Sequence, residues 1–327
     1  MFLISLEITK VAVVKSFLLT AGVYLLLRII KRRFIDYRID RSLKNIVFLV
    51  TGATHGLGKA TVRELAEHGA TVYMTCRNTV LGLSVADEIK RATANENIHV
   101  IELDLCNFVS VRMCAAAFRK KESSLHCLIN NAGIYSPSQR ELTKDGVEVT
   151  MQSNHYGHFL LTVLLLDVLK KSAPSRVVNV SSKAAYEAPR FDLQDLNFES
   201  QYRFWEVYQI SKLANVLFTR QLAAICRGSG VTTNCCHPGI IKTNIWNKST
   251  PTLSGFLYIF LTIAGFGNTI SDGARTQLYL ATSHSLNHVS GHFFRNCKAA
   301  PLPQLALDDR LCEQFWDLSE RITQSFK

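Results

Sequence analysis

From residue 45 onward, short runs of Val, Ile and Leu alternate along this chain with amphipathic stretches. The apolar runs at 45–50, 70–75, 98–103, 125–130, 175–180 and 231–236 have strand length and are rich in β-branched residues. Between them, apolar positions recur at helical spacing over 79–94, 108–120, 144–170 and 205–226, with a further helix at 271–282 and a short strand near 291–295. Strands apolar on both faces need cover on both faces, and a helix between successive strands makes those strands parallel. The pattern predicts an α/β fold, a doubly wound parallel sheet with helices on both faces and ligands beyond the carboxyl ends of its strands.

The N-terminal stretch does not share this pattern. Residues 11–30 read VAVVKSFLLTAGVYLLLRII, followed by Lys31, Arg32 and Arg33. Twenty helical residues span about 30 Å, the thickness of a hydrocarbon core, and Lys15 and Arg28 lie near enough to the ends to snorkel. No small-residue cleavage site follows, so the sequence predicts a retained N-terminal membrane anchor helix, spanning the bilayer or lying in its interface. Domain organisation follows: an anchor and basic collar at 1–44 and a single globular domain at 45–327. The basic flank places that domain in the cytosol, held on a membrane.

Charge and cysteines change the picture little. Of the net charge of +11, residues 1–45 carry +6, nine Lys and Arg against Glu7, Asp36 and Asp40. The basic cluster abuts an apolar run rather than an aromatic-interleaved face, so nucleic acid is not an expected partner. Nine cysteines show no metal-ligand spacing and read as free thiols, with Cys235 and Cys236 in a buried strand. The ten histidines form no metal motif, and His155 and His158 read as packing or hydrogen-bonding residues.

Candidate chemistry begins where the first strand ends, in Thr51-Gly52-Ala53-Thr54-His55-Gly56-Leu57-Gly58. Gly52 permits the tight turn, Gly56 lets the backbone approach a pyrophosphate and Gly58 lets the following helix pack on the sheet, a Rossmann-type arrangement. A carboxylate to hold ribose hydroxyls is missing after the second strand, which ends Cys76-Arg77 with no acid between Glu67 and Asp87. Arg77 suits a 2'-phosphate instead, and NADP(H) is the expected cofactor. Asp104, ending the third strand, is placed to accept from an adenine edge or to cap the next helix. In Asn130-Asn131-Ala132-Gly133, small residues allow close backbone approach and Asn side chains can lock neighbouring strands.

Tyr208 and Lys212 lie four apart on one helix face, Ser181-Ser182 ends the fifth strand, and Asn154 sits in the long preceding helix. Phenol titrates near about 10, and an adjacent ammonium stabilises the phenolate. Tyr208 would exchange a proton with a substrate oxygen, Lys212 would supply the charge, Ser182 would polarise the oxygen and Asn154 could hold a water.

Taken in order, these motifs resemble the short-chain dehydrogenase/reductase family, in its retinol dehydrogenase-like branch, from about residue 46 to 320. Thr51 through Gly58 match the family's cofactor motif, with Thr54, His55 and Leu57 inside it, and 130–133 match its Asn-Asn-Ala-Gly. Asn154, Ser182, Tyr208 and Lys212 match the catalytic set. Pro238-Gly239 and Thr243 match the segment whose threonine contacts the nicotinamide carboxamide region. The serine-to-tyrosine gap of 26 residues exceeds that of compact members and resembles the retinol dehydrogenase branch, as do Cys76-Arg77 and NHYGHFLLT.

The resemblance implies an NADP(H)-dependent enzyme interconverting a lipophilic alcohol and its aldehyde or ketone, retinol and retinal first among them. It also implies attachment to endoplasmic reticulum membrane or lipid droplets. A homodimer is the assembly that related folds suggest. Steroid, fatty-aldehyde or other lipid carbonyl reduction is the alternative, and a noncatalytic membrane interaction protein the second. An apolar run at about 245–270 reads as a substrate lid or a patch touching membrane lipid.

Overall fold

The computed structural model describes Gly22 and residues 37–239 and 269–324. Residues 37–327 belong to one compact unit. Its strands and helices run in strict alternation: β1 (Val47–Thr51), α1 (Gly56–Glu67), β2 (Thr71–Cys76), α2 (Thr79–Thr93), β3 (Ile98–Glu102), α3 (Phe108–Lys121) and β4 (Cys127–Asn130). The long helix α4 then comprises Val149–Met151, a π-helical turn at Gln152–Tyr156 and Gly157–Lys171. It is followed by β5 (Ser175–Val180), α5 (Phe204–Ile225), β6 (Val231–His237), α6 (Ile270–Thr282), β7 (Phe293–Arg295), β8 (Lys298–Ala300) and α7 (Asp309–Gln324). Among the described residues these strands form one sheet ordered β3-β2-β1-β4-β5-β6-β7-β8, parallel except for β8 against β7. The expected doubly wound parallel sheet is thus observed.

Alternation along each strand divides the core in two. Leu49, Tyr73, Leu128, Val177, Cys235 and Phe293 point into the cluster built with α3, α4, α5 and α7. Their neighbours Phe48, Val50, Val72, Met74, Cys127, Ile129, Val178, Cys236 and Phe294 point into the cluster under α1, α2 and α6. All nine cysteines are free thiols, and burial pushes that of Cys235 up to about 12, as expected for inert strand residues.

Two local expectations change. The long helix starts at Val149 rather than 144, because Lys144-Asp145-Gly146 makes a turn, with Gly146 at φ +73° and a Leu142–Glu148 bridge closing it. The Glu148 carboxylate then caps the helix through the Met151 N–H at 2.7 Å. Beyond 295 the chain continues into β8 and α7, which the sequence reading did not contain. Helix α7 turns Cys312, Phe315, Trp316, Ser319 and Thr323 inward at three- and four-residue spacing.

The membrane anchor expectation is corrected. Among the described residues no helix is long and apolar enough to cross a membrane. The described residues therefore carry no transmembrane element, and the expected membrane-anchored location at endoplasmic reticulum or lipid droplet is not supported. Apart from Gly22, the segment 11–30 lies outside the described residues, as does the 245–270 run up to residue 268. The described end of the expected collar packs onto the catalytic body: Leu43 is fully buried with its N–H on His68 O at 2.8 Å, and the Tyr37 hydroxyl bonds Thr282 at 2.8 Å.

Candidate active site

The carboxyl ends of β1, β4 and β5 form the floor of the site. After β1 the chain turns at Gly52, φ +64°, a left-handed conformation in which a side chain would also strike Ala132 Cα at 2.9 Å. At Gly58 a Cβ would lie 2.2 Å from Gly52 O, so this position in the first turn of α1 tolerates no side chain. His55 precedes the helix without a side-chain cap bond and Gly56 opens it at φ +51°, leaving the first-turn amides free of a side-chain cap, as anion binding at a helix N-terminus requires. Thr54 and His55 bond each other, Oγ1 to Nδ1, at 3.0 Å. This bare-amide glycine cradle fits a dinucleotide pyrophosphate.

The next layer holds that turn against β4. Thr51 Oγ1 accepts the N–H groups of Asn131 and Ala132, both at 2.9 Å, and Asn131 Nδ2 donates to Thr51 O at 2.8 Å. Asn130 Nδ2 bonds Asn179 Oδ1 at 2.8 Å across β4 and β5, locking the two strands as expected. At the far edge Arg77 is exposed just past β2, and β3 continues into Asp104 beside it through Leu103 N on Cys76 O at 2.9 Å. Asn107 caps α3, accepting from Val109 and Ser110, while Asp104 Oδ1 takes only the Cys106 N–H at 3.0 Å. The capping alternative for Asp104 is thereby assigned to Asn107.

The chemical groups converge over Gly133, where a Cβ would stand 3.1 Å from Lys212 Nζ and 3.3 Å from Asn154 Oδ1. Asn154 is fully buried in the π-helical turn of α4; its side chain bonds the Ile134 backbone in both directions, at 2.8 and 3.0 Å, and donates to Ser211 Oγ at 3.0 Å. Lys212, on α5, is 4% exposed, donates to Val180 O at 3.4 Å, and lies 5.6 Å from the centre of the Tyr208 ring. Burial pulls its ammonium down from 10.5 to about 8, the nearby Cys236 thiol opposing. The two serines divide their tasks: Ser181 is buried and donates to Lys212 O at 2.7 Å, whereas half-buried Ser182 caps the following 3-10 turn through the Ala184 N–H at 3.2 Å.

With glycine cradle, Asn-Asn-Ala-Gly floor and the Asn154, Ser182, Tyr208, Lys212 group on one sheet edge, comparison with known proteins decides the family. The short chain dehydrogenase family model matches residues 46–254. The chain belongs to the short chain dehydrogenase family. Human retinol dehydrogenase 12 is 41% identical over 282 residues, 86% of this chain and 87% of that protein. Human retinol dehydrogenase 14 is 39% identical over 311 residues, 88% and 92% of the two chains. A solved structure of an uncharacterised protein from Mycobacterium paratuberculosis superposes with a TM-score of 0.69 at 34% identity, covering 87% of this chain and 95% of that one. This short chain dehydrogenase is an oxidoreductase that uses NADP(H) and acts on a lipophilic alcohol or carbonyl compound.

Pro238 and Gly239, half-buried just past β6 with Gly239 at φ +92°, leave the sheet on the same edge; Thr243 lies outside the described residues. Sequence reasoning missed an aromatic group beside Tyr208. Tyr135 stands 4.9 Å from the Tyr208 ring, and Trp205 stacks on Tyr208 at 5.8 Å with 23° between planes. The only local signals were the three-residue spacing of Trp205 and Tyr208 and the place of Tyr135 two residues after Gly133.

Proposed function

We propose that this chain interconverts retinol and retinal, with Tyr208 as the proton-transfer group, Lys212 as its electrostatic partner, and Ser182 and Asn154 in support. The observation that carries this reading is the buried Lys212 ammonium, 5.6 Å from the Tyr208 ring and converging with Asn154 on Gly133. Two observations favour a retinoid among lipophilic carbonyls: the relatives named as retinol dehydrogenases, and the aromatic wall of Tyr135, Trp205 and Tyr208, which suits a flat conjugated chain.

NADP(H), when bound, supplies or accepts the hydride. The cofactor residues would be Gly52, Thr54, His55, Gly56, Leu57 and Gly58 at the pyrophosphate, and Arg77 at the 2'-phosphate. Asp104 would serve the adenine, and Asn131, Ala132, Gly133, Pro238, Gly239 and Thr243, with Tyr208 and Lys212, the nicotinamide half. In reduction, the Tyr208 hydroxyl hands its proton to the carbonyl oxygen and the Lys212 cation stabilises the phenolate left behind. The Ser182 hydroxyl already accepts the Ala184 N–H, so its own proton remains for the substrate oxygen. Asn154 holds a water that returns a proton through Lys212. Oxidation runs the same transfers in reverse.

The test is the initial rate of all-trans-retinal reduction, delivered on albumin, with NADPH and NADH at equal concentration. Turnover with a clear NADPH advantage supports the reading. NADPH binding without retinal turnover overturns the retinoid assignment and moves the substrate to a steroid, fatty-aldehyde or other lipid carbonyl.

A further inference from the structure

We infer that His158 is a positioning residue that ties the cofactor floor to Asn154 and so fixes the segment 131–134 beneath the reacting groups; the inference rests on the roles proposed above for that floor and for Asn154. This segment is held at two points. Thr51 Oγ1 accepts the N–H groups of Asn131 and Ala132 at 2.9 Å each, and the Asn154 side chain holds Ile134 at 2.8 and 3.0 Å. Gly133 lies between the two grips, under Lys212 Nζ.

The histidine joins them. Its ring is 2% exposed on α4, with Nε2 2.8 Å from Thr51 Oγ1 and Nδ1 3.1 Å from the Asn154 carbonyl oxygen. Both ends of this bridge fix the same tautomer. A carbonyl oxygen only accepts, so Nδ1 carries the hydrogen. Thr51 Oγ1 already accepts two N–H bonds, so its own hydrogen must be donated, and the nearer acceptor is the bare Nε2 rather than Ile129 O at 3.5 Å. Burial agrees with a neutral ring, pulling the imidazolium down to about 4. Every polar atom of the bridge is therefore used in one direction, from Thr51 through His158 to the backbone of Asn154, whose side chain then reaches Ser211 at 3.0 Å, beside Lys212. A leucine at 158 would leave the Thr51 hydrogen only the distant Ile129 carbonyl and would remove the donor from Asn154 O.

A double-mutant cycle reads this coupling. His158→Leu, Thr51→Val and the double variant are compared for NADPH Kd, by fluorescence, and for kcat with retinal, below the melting temperature of the weakest variant. The expected result is about tenfold weaker NADPH binding and about tenfold lower kcat in each single variant, with the double variant no worse than the poorer single one. His158→Gln, whose amide can accept from Thr51, is expected to recover to within about threefold, a rescue that loss of packing alone does not give. Additive losses, or His158→Leu with unchanged Kd and kcat, overturn the inference. If His158→Leu does not fold, His158→Asn replaces it, keeping a donor at the Nδ1 position without the acceptor at Nε2. Kd must then rise for Asn and not for Gln, and equal values for the two overturn it. The Kd arm needs no turnover, so failure of the retinal reading shows as absent turnover in the wild type while the cycle still decides His158.

Discussion

The half of the sheet proposed to face the cofactor and the half proposed to face the substrate are built by different means. From β1 to β4 the site is made of backbone: glycines at 52 and 58 where an added Cβ would strike Ala132 and Gly52 O, Gly56 in the left-handed region, and amides at the start of α1 without a side-chain cap. From α4 to α7 it is made of side chains from distant elements. Asn154 reaches Ser211, His155 reaches Ser319 at 3.0 Å, and Tyr135 packs on Trp205 and Tyr208. Backbone sites withstand side-chain loss nearby but no added Cβ, whereas side-chain sites depend on single groups and on the packing behind them.

The largest expected effect tests that separation directly. Tyr208→Phe keeps the ring and its stacking but removes the transferable proton. Reduction should fall about 10²–10⁴-fold, while NADPH affinity, measured by fluorescence titration, stays within about threefold. Equal loss of both would merge the two halves.

Packing behind the substrate half is probed by Phe315→Ala. Phe315 is 1% exposed, its ring 4.6 Å from that of His155. Denaturant unfolding should show a loss of about 3–5 kcal/mol, and a change below about 1 kcal/mol would detach α7 from the core that carries Asn154.

On the cofactor half, Arg77→Ala should reduce the preference for NADPH over NADH by about 10–100-fold with kcat nearly unchanged, the value of one charge-assisted contact. An unaltered preference would remove Arg77 from the 2'-phosphate site.

The smallest effect is in pH. The Lys212 cation is present below about 8 and lost above it, so kcat/KM for NADPH in the reductive direction should decline as pH rises through about 8. Stability moves the other way. The unfolded lysine still binds its proton between about 8 and 10.5 while the folded one has released it, so this residue makes folding more favourable as pH rises across that window. Lys212→Met should abolish both trends.

What the sequence makes legible follows the same division. Gly52, Gly56, Gly58 and the Asn130–Gly133 run are local patterns, readable because a turn demands particular residues at fixed spacing, and the strands were visible in their β-branched runs. The start of α4 was placed too early because the helix was begun at Lys144, whereas Lys144-Asp145-Gly146 makes a turn that ends before Val147 and Val149. The hydrogen bond of Thr51 with His158 joins residues 107 apart, and that of His155 with Ser319 joins residues 164 apart. No spacing rule reaches so far. Helix α7 carries an inward-facing stripe at Cys312, Phe315, Trp316 and Ser319, but the faces of α4 and α5 it docks on lie about 100 to 160 residues earlier in the chain. The anchor expectation rests on apolar length together with the basic flank at Lys31-Arg32-Arg33.

Helix α7 also bears on the order in which the enzyme is made. Its residues close over His155 and Phe159, one side of the turn that carries Asn154, and they leave the ribosome after every other described part of the site. A nascent chain already holds Asn154, Ser182, Tyr208 and Lys212 before the helix behind Asn154 exists. Domains fold as units during synthesis at about 5–20 residues per second, so the interval between the emergence of Lys212 and of α7 lasts seconds. During that interval the aromatic face of α4 and α5 lacks the cover that Phe315 and Trp316 give it in the finished fold.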